Sequence, residues 1–387
     1  MNVLLLTVDS LRADRVSAER GLTPRIDALG RDGAAFEQAV THGHGTPVAF
    51  PAILSGTYPM LYGGCSELAP ERPVLARFLQ DAGYETAAFT SNPHLFERYG
   101  YDIGFDVFNE YSETGDGDAG GSTPLIERVR ERLKHHLQDG SLAWNLLRRV
   151  YYLAMTVTEQ RPYAPADAIN GHVLDWLDGR DGDRPFFVWA HYMDTHYPFY
   201  QGADRLDEVG ADPIPTGRQR RLNRLMNESP EQLSSEDVAD LNALYDAETR
   251  FVDEHVGALL DELDRRGLRE ETLVVLTSDH GEALGEHDAF GHYQALYEEL
   301  VRVPLVVAGP DVPAATVEHQ TGLVDIAPTV LDYAGVEHSA PFSGESVRPW
   351  LEDGVPDVPR KPAQVDGLIV GPAGGPGHGG GARRRRL

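Results

Sequence analysis

Short, continuous apolar runs recur along the chain, and most of them end abruptly in polar residues. The clearest runs are Asn2 to Val8, Tyr84 to Thr90, Pro185 to Ala190, Thr272 to Ser278 and Val303 to Val307. An apolar run without alternating polar positions is typical of a strand that is buried on both faces of a parallel sheet. The pattern therefore predicts a central sheet, to which Ala34 to Val40 adds a further strand.

Stretches with helical spacing lie between these strands. Apolar residues recur every three or four positions in Asp167 to Leu177 and in Asp246 to Arg265, and Asp325 to Tyr333 is interpreted in the same way. Val48 to Leu54 is interpreted as the first turns of another helix. Because strands alternate with helices along the chain, the pattern predicts an α/β fold.

Three segments depart from this alternation. Leu125 to Thr158 has helical spacing within an insertion of about 120–165, and we expect an inserted helical cap, with a simple helical crossover as the alternative. A second insertion, about 202–240, is polar and without a strong period, so it is expected to wrap the surface. Residues 356–387 are rich in Pro, Gly and Arg and are expected to be disordered. We therefore expect one catalytic domain over residues 1–355.

The charge balance of the chain is strongly acidic. Its 387 residues include 61 Asp and Glu against 34 Lys and Arg, which gives a net charge of −27. A charge of this sign argues against nucleic acid as a partner. The acidic residues are spread along the chain, which suggests the solvated surface of a halophilic protein from a salt-rich cytoplasm.

The sequence also bears on the cellular compartment. Cys65 is the only cysteine, so no disulfide within the chain is expected. The N-terminal apolar run is too short for a signal peptide, and no apolar stretch reaches the roughly eighteen residues of a transmembrane helix. We therefore expect a cytoplasmic protein without a transmembrane segment, and the oligomeric state stays open.

Polar side chains stand where the predicted strands end. Asp9 follows the first strand, and Asp279 and His280 follow the strand Thr272 to Ser278. Open parallel sheets bind ligands at the carboxyl ends of their strands, so these side chains are expected to share one edge. Two carboxylates and one imidazole suit a divalent metal ion, with Ca, Mg, Mn and Zn all open. The alternative is an ordinary turn with surface histidines.

Thr46 precedes the predicted helix Val48 to Leu54 and is flanked by small residues. A hydroxyl at the amino end of a helix lies beside free backbone amides and the positive end of the dipole, and is suited to meet an anion. The alternative is that Thr46 only caps the helix.

Several motifs share an order that is specific in combination. Thr46 is followed ten residues later by the glycine of Ser-Gly-Thr-Tyr-Pro, and residues 277–281 read Thr-Ser-Asp-His-Gly. Residues 189–198 carry Asp194 and His196 between a tryptophan and a proline. Over about 2–351 this order resembles the sulfatase family of the alkaline phosphatase superfamily. The resemblance implies a mixed, largely parallel central sheet with helices on both faces.

The chain departs from the family pattern at the nucleophile. Standard sulfatases carry Cys or Ser in a Cys-x-Pro-x-Arg pattern that is matured to formylglycine, whereas residues 46–50 here read Thr-Pro-Val-Ala-Phe. Threonine cannot yield that aldehyde. Other members of the superfamily use an unmodified threonine on a metal. The resemblance therefore implies a metal-dependent hydrolase of sulfate or phosphate esters with metal-bound Thr46 as nucleophile.

The resemblance also implies a role for each site residue. The metal ligands would be Asp9, Thr46, Asp279 and His280. Catalysis would involve Thr46, His196 and His292, and substrate would be bound by Asn92, His94 and His191. Ser10 stands where the family has a second aspartate, and His292 where it has a late lysine. The substrate would be an anionic ester of a glycan, a lipid head group or a small molecule.

Two other functions stay open from the sequence. One is a transferase that passes a phospho-alcohol group from Thr46 to an acceptor, against which the lack of a membrane segment counts. The other is a catalytically silent member that binds an anionic glycan or lipid head group. The complete set of Asp9, Asp279 and His280 counts against silence.

Overall fold

The computed structural model describes residues 1–65, 67–111 and 163–353, and at its centre lies an eight-stranded sheet. The strands of the described residues are β1 (Asn2–Val8), β2 (Ala34–Phe36), β3 (Ala39–Val40), β4 (Glu85–Thr90), β5 (Val107–Glu110), β6 (Phe186–Tyr192), β7 (Thr272–Ser278), β8 (Ala283–Leu284), β9 (Phe290–Gly291), β10 (Leu305–Ala308), β11 (Ala315–Val317) and β12 (Thr321–Gly322). β3 pairs with β12 and β8 with β9 outside the central sheet.

The α-helices of the described residues are α1 (Pro24–Asp32), α2 (Thr46–Ser55), α3 (Leu75–Asp81), α4 (Ala166–Asp178), α5 (Ala203–Glu208), α6 (Thr216–Glu228), α7 (Ser235–Arg265), α8 (Glu298–Val301), α9 (Ile326–Ala334) and α10 (Arg348–Asp353). None of these helices combines the length and the apolar character that crossing a membrane requires.

The central sheet is mixed and largely parallel, as the sequence predicts. Its strands lie in the order β11-β2-β10-β7-β1-β6-β4-β5, and only β10 runs antiparallel to its neighbours. β1 lies between β6 and β7, and Val8 pairs with Tyr192 on one side and Ser278 on the other. The carboxyl ends of these three strands are therefore level with one another.

Two apolar clusters cover the two faces of the sheet. Side chains alternate along β1, so that Val3 and Leu5 pack in one cluster and Leu4 and Leu6 in the other. Helices α2, α3 and α9 contribute to the first cluster, and α1, α4 and α7 contribute to the second. Helices on both faces, which the sequence also predicts, explain why the strands are apolar throughout.

A third apolar cluster corrects the expectation for residues 202–240. This segment, which was expected to wrap the surface, forms α5, α6 and the start of α7. These helices bury a core of their own, which includes Phe199, Leu222, Leu244 and Tyr245. The apolar positions of α6 are few and confined to its second half, at Leu222, Leu225 and Met226, so the segment as a whole shows no strong period.

Other expectations differ in detail or lie outside the described residues. The strand expected over Ala34 to Val40 is split into β2 and β3, which pair in different sheets. The helix expected from Asp246 begins earlier, at Ser235, where Ser234 and Asp237 form a capping box. The predicted cap Leu125 to Thr158 and the tail 356–387 fall outside the described residues, so both stay predictions.

Candidate active site

The level strand ends bring Asp9, Asp279 and His280 together. Asp9 follows β1 and donates its backbone N–H to Tyr192 O on β6 (2.8 Å), while Asp279 and His280 follow β7. One ligand atom from each of the three side chains lies within 4.8 Å of the others, and all three residues are fully buried. The strand-end placement predicted from the sequence therefore produces a compact cluster.

The three side chains direct acceptor atoms at one another. His280 Nδ1 lies 2.8 Å from Gly281 O, so Nδ1 carries the proton and Nε2 carries the lone pair. Nε2 lies 3.4 Å from Asp279 Oδ2 and 3.7 Å from Asp9 Oδ1. Neither His280 Nε2 nor Asp279 Oδ2 has a hydrogen-bond donor. Buried acceptors without donors are costly, and a divalent cation among them would satisfy both.

Electrostatics within the cluster agree with this fit. Burial raises the pKa of the Asp279 carboxyl, and the neighbouring charge of Asp9 raises it further. Burial opposes ionisation of Asp9 as well, but the imidazoles of His196, His191 and His280 hold its pKa well below its usual value. Two buried carboxylates this close repel each other when both are ionised. A bound cation would offset this repulsion and favour the ionised form of both.

A close backbone approach fixes the turn after His280. Gly281 donates its N–H to Leu300 O (2.9 Å). A Cβ at position 281 would lie 1.9 Å from Glu299 O, so any larger residue would displace the backbone. Glycine is required here because it lets the turn and α8 touch, which fixes the direction of the His280 side chain.

Thr46 lies against this cluster at the amino end of α2. Gly45 is the N-cap residue and Thr46 is the first helical residue, so its hydroxyl makes no capping hydrogen bond. The hydroxyl instead donates to Asp9 Oδ2 (3.2 Å). Thr46 is buried, at 5% exposure, so the alternative role of helix cap does not describe its side chain.

Asn92, at the end of β4, completes the buried part of the site. Its side-chain amide donates to Asp9 Oδ2 (2.7 Å) and lies 3.4 Å from Thr46 Oγ1. Asn92 Oδ1 accepts the backbone N–H of His94 (2.9 Å). The amide therefore fixes the carboxylate and the hydroxyl relative to each other.

His191 lies beside Asp9 in the buried cluster. It is fully buried, its Nδ1 lies 2.9 Å from Thr7 Oγ1, and its Nε2 lies 3.4 Å from Asp9 Oδ2. Phe50 packs edge-on against the His191 ring at 5.1 Å. His191 therefore contacts a predicted metal ligand, and its predicted substrate-binding role stays a prediction.

Partly exposed histidines line the open side of the site. The rings of His196 and His292 lie 5.1 Å apart, and the rings of His280 and His292 lie 4.6 Å apart. His94, which follows β4, is exposed. The structure thus brings every predicted site residue either into the buried cluster, as with His191, or to this rim of His94, His196 and His292.

The two inner histidines of the rim differ in protonation. His196 Nδ1 lies 2.6 Å from Tyr197 O, and burial lowers the pKa of this imidazole. Burial opposes protonation of His292 too, but the Glu282 carboxylate raises the pKa of His292 to about 9. In the metal-free site Glu282 therefore favours the protonated form of His292, whereas burial favours the neutral form of His196.

Glu282 is a site residue that sequence reasoning missed. It is fully buried, and its Oε2 lies 3.5 Å from His292 Nδ1. Its position two residues after His280 was visible in the sequence, but its partner lies ten residues further on, across the β8–β9 hairpin. Only the fold shows that the two side chains meet.

Comparisons with known proteins agree with this geometry. A model of the sulfatase family matches residues 1–336. The choline-sulfatase of Rhizobium meliloti is 28% identical over 391 aligned positions, which cover 92% of this chain and 71% of that protein. Family members generally use a divalent metal ion, which fits the Asp-Asp-His cluster.

Solved structures of similar proteins share the fold. The phosphonate monoester hydrolase of Agrobacterium radiobacter has a TM-score of 0.66 and 21% identity, covering 95% of this chain and 81% of that one. BT4656, solved with its substrate D-glucosamine-2-N,6-O-disulfate, has a TM-score of 0.68 and 22% identity, covering 99% and 85%. Since the family model matches most of its length, the chain belongs to the sulfatase family of the alkaline phosphatase superfamily and is an ester hydrolase.

Proposed function

We propose that this ester hydrolase cleaves sulfate or phosphate esters with the unmodified Thr46 hydroxyl as its nucleophile. The observation that carries the proposal is the position of that hydroxyl. It is not used as a helix cap, it lies 3.2 Å from Asp9 Oδ2, and it stands at the amino end of α2. An anionic ester bound there would meet the free amides of the helix end.

Asp9, Asp279, His280 and Thr46 would hold a divalent cation, since they offer three oxygens and one nitrogen in a buried cluster. When bound, the cation would lower the pKa of a coordinated hydroxyl and offset the charge of the ester. Asn92 holds Thr46 in place through their shared contact with Asp9. The identity of the metal stays open.

The rim supplies the proton transfers. His292, which Glu282 keeps protonated, donates a proton to the leaving oxygen as the bond from that oxygen to phosphorus or sulfur breaks. His196 Nε2 has a free lone pair and removes a proton from the water that later releases Thr46. His292 and His196 thus act as acid and base, respectively. This assignment follows the general rule that two titratable groups whose surroundings shift their pKa values in opposite directions serve as acid and base.

Thr46 favours phosphorus over sulfur as the attacked atom. A sulfate ester on formylglycine is expelled by its own second hydroxyl, and a threonine ester has no such group. Water must therefore attack the phosphoryl or sulfuryl group itself, and superfamily phosphatases resolve a phospho-enzyme in this way. The named relatives include both a choline-sulfatase and a phosphonate monoester hydrolase, so either element is compatible with the family.

Replacement of Thr46 tests the proposal. Thr46→Ala should lower kcat by about 10²- to 10⁴-fold, while Thr46→Ser, which keeps a hydroxyl, should retain most of the rate. Both rates are measured with matched aryl phosphates, phosphonates and sulfates, alongside the metal content of each variant. Full activity of Thr46→Ala with metal bound would contradict the proposal.

A further inference from the structure

We propose that Tyr245 is a positioning residue for the metal site, acting through the turn at Ser10. Tyr245 lies on α7, is fully buried and belongs to the third apolar cluster. Its hydroxyl donates to Ser10 O (2.6 Å) and accepts the backbone N–H of Arg12 (2.9 Å). One side-chain oxygen thus joins the two backbone groups that flank Leu11.

The turn held in this way is strained. Ser10 has a φ of 61°, which places a residue with a Cβ in the left-handed region. L-residues avoid this region because the Cβ approaches a carbonyl oxygen. Tyr245 is the partner of both backbone groups, and between them the Leu11 N–H donates to Ser278 Oγ (2.9 Å). The Tyr245 hydroxyl therefore joins the two ends of the turn, while Ser278 holds its middle.

The strained turn directs donors at both carboxylates of the cluster. The backbone N–H of Ser10 donates to Asp279 Oδ1 (3.2 Å), and its hydroxyl donates to Asp9 Oδ1 (3.1 Å). These two bonds fix the Oδ1 atom of each carboxylate, so that Asp9 Oδ2 accepts from Thr46 and Asn92 while Asp279 Oδ2 is left without a donor. If the turn relaxed toward an ordinary backbone conformation, both donors would move and the carboxylates could rotate.

Packing behind Tyr245 explains how its hydroxyl is itself fixed. Its ring lies edge-on to Phe199 at 5.6 Å, and the Arg15 guanidinium lies 5.9 Å from the ring centre. Of these two contacts, Phe199 belongs to the core formed by α5, α6 and α7. We infer that this additional core sets the geometry of the metal ligands without touching the metal or the substrate.

The test compares two buried tyrosines. Tyr245→Phe removes only the hydroxyl and keeps the ring. Tyr192→Phe is the matched control, because Tyr192 is also fully buried and its hydroxyl also donates over 2.6 Å, but to Asn170 Oδ1 on α4. Each metal-free protein is titrated separately with Mg²⁺, Ca²⁺, Mn²⁺ and Zn²⁺ by calorimetry, and the comparison uses the cation that the unaltered protein binds most tightly.

The inference rests on the proposed metal site, and the outcomes separate the two. Tyr245→Phe should raise the dissociation constant by about 10-fold or more, as the loss of outer hydrogen bonds at metal sites does, with the control unchanged. The melting temperatures of the metal-free variants and of the metal-free unaltered protein show how much stability each substitution costs. Equal affinities of both variants and the unaltered protein would overturn the role of Tyr245. If the unaltered protein bound none of the four cations, the metal site itself would be overturned.

Discussion

The buried cluster at the strand ends and the histidine rim belong to one site but are built in opposite ways. Asp9, Asp279 and His280 follow neighbouring strands, are fully buried, and are fixed by backbone pairing. His196 and His292 lie on loops, remain partly exposed, and are fixed by single contacts to Tyr197 O and Glu282. The cluster is rigid because the sheet is, whereas the rim depends on individual side chains.

The two regions also differ in the group that supplies positive charge. The resemblance to standard sulfatases implies that Phe50, Asn92 and His292 stand where that family has an arginine and two lysines. Phe50 is buried and Asn92 is neutral, so the remaining cationic side chain among these three is His292. The cluster is expected to need a metal to be charge-balanced, and the rim is expected to need a pH at which His292 is protonated.

The largest effect is expected from the cluster. Asp279→Asn should abolish metal binding and lower kcat/KM by at least about 10³-fold, since a catalytic metal contributes several kcal/mol. The metal-free variant should melt no lower than the metal-free parent, because it loses the repulsion between two buried carboxylates.

Asp194→Asn is the matched control for Asp279→Asn. Asp194 is also fully buried beyond a strand end, but its Oδ2 accepts the backbone N–H of Ala166 (3.0 Å). This variant should lose stability and keep its metal. Metal content is measured by elemental analysis. Full metal occupancy in Asp279→Asn would show that the cluster is not the metal site and would contradict the distinction between the cluster and the rim.

An intermediate effect is expected from the rim. His292→Ala should leave metal content unchanged and lower kcat by about 10²-fold or more, because a positioned acid is lost. His287→Ala serves as control, since His287 stacks on Tyr297 in the same loop at 3.8 Å and lies outside the site. Loss of metal from His292→Ala would show that rim and cluster are one unit.

The smallest effect is expected from Glu282, and it concerns the pH dependence of kcat/KM. In the metal-free site Glu282 raises the pKa of His292 to about 9 against the effect of burial, and a cation bound nearby would lower that value. The protonated acid is present below the resulting pKa and is lost above it. Glu282→Gln removes the charge and lowers this pKa, so the alkaline limb of kcat/KM should move to lower pH.

At alkaline pH the Glu282→Gln variant should be slower by up to about tenfold for each unit by which the pKa of His292 falls, and at a pH well below both pKa values the two proteins should have similar rates. Glu286→Gln is the control, because Glu286 contacts Arg12 rather than His292. An unshifted alkaline limb would mean that another group sets it.

The sequence predicts the parts of this molecule that depend on local pattern. β1 and β7 have the predicted bounds, because a buried parallel strand is apolar at every position. Residues 202–240 resisted prediction because the core of α5 and α6 is completed by α7 and Phe199, from outside the segment. A periodic signal is weak where most partners are distant in sequence.

The same reasoning separates the parts of the site. Asp9, Asp279 and His280 were predictable because each directly follows a strand, and strand ends meet at one edge. The contacts of Glu282, Tyr245 and His191 were not predictable, since each depends on the direction in which a side chain points across a turn or between strands. Those directions are set by packing that no spacing rule encodes.

The most direct test of the central claim is a search for the covalent intermediate on Thr46. Enzyme mixed with an aryl phosphate, quenched in acid during turnover and digested, is analysed by mass spectrometry. The account predicts a gain of about 80 Da on the peptide that contains Thr46, as expected for a phosphoryl group on a hydroxyl. It predicts no such gain in Thr46→Ala. Turnover by Thr46→Ala at the unaltered rate, with no adduct on Thr46 in the parent enzyme, would contradict the account and make water the nucleophile.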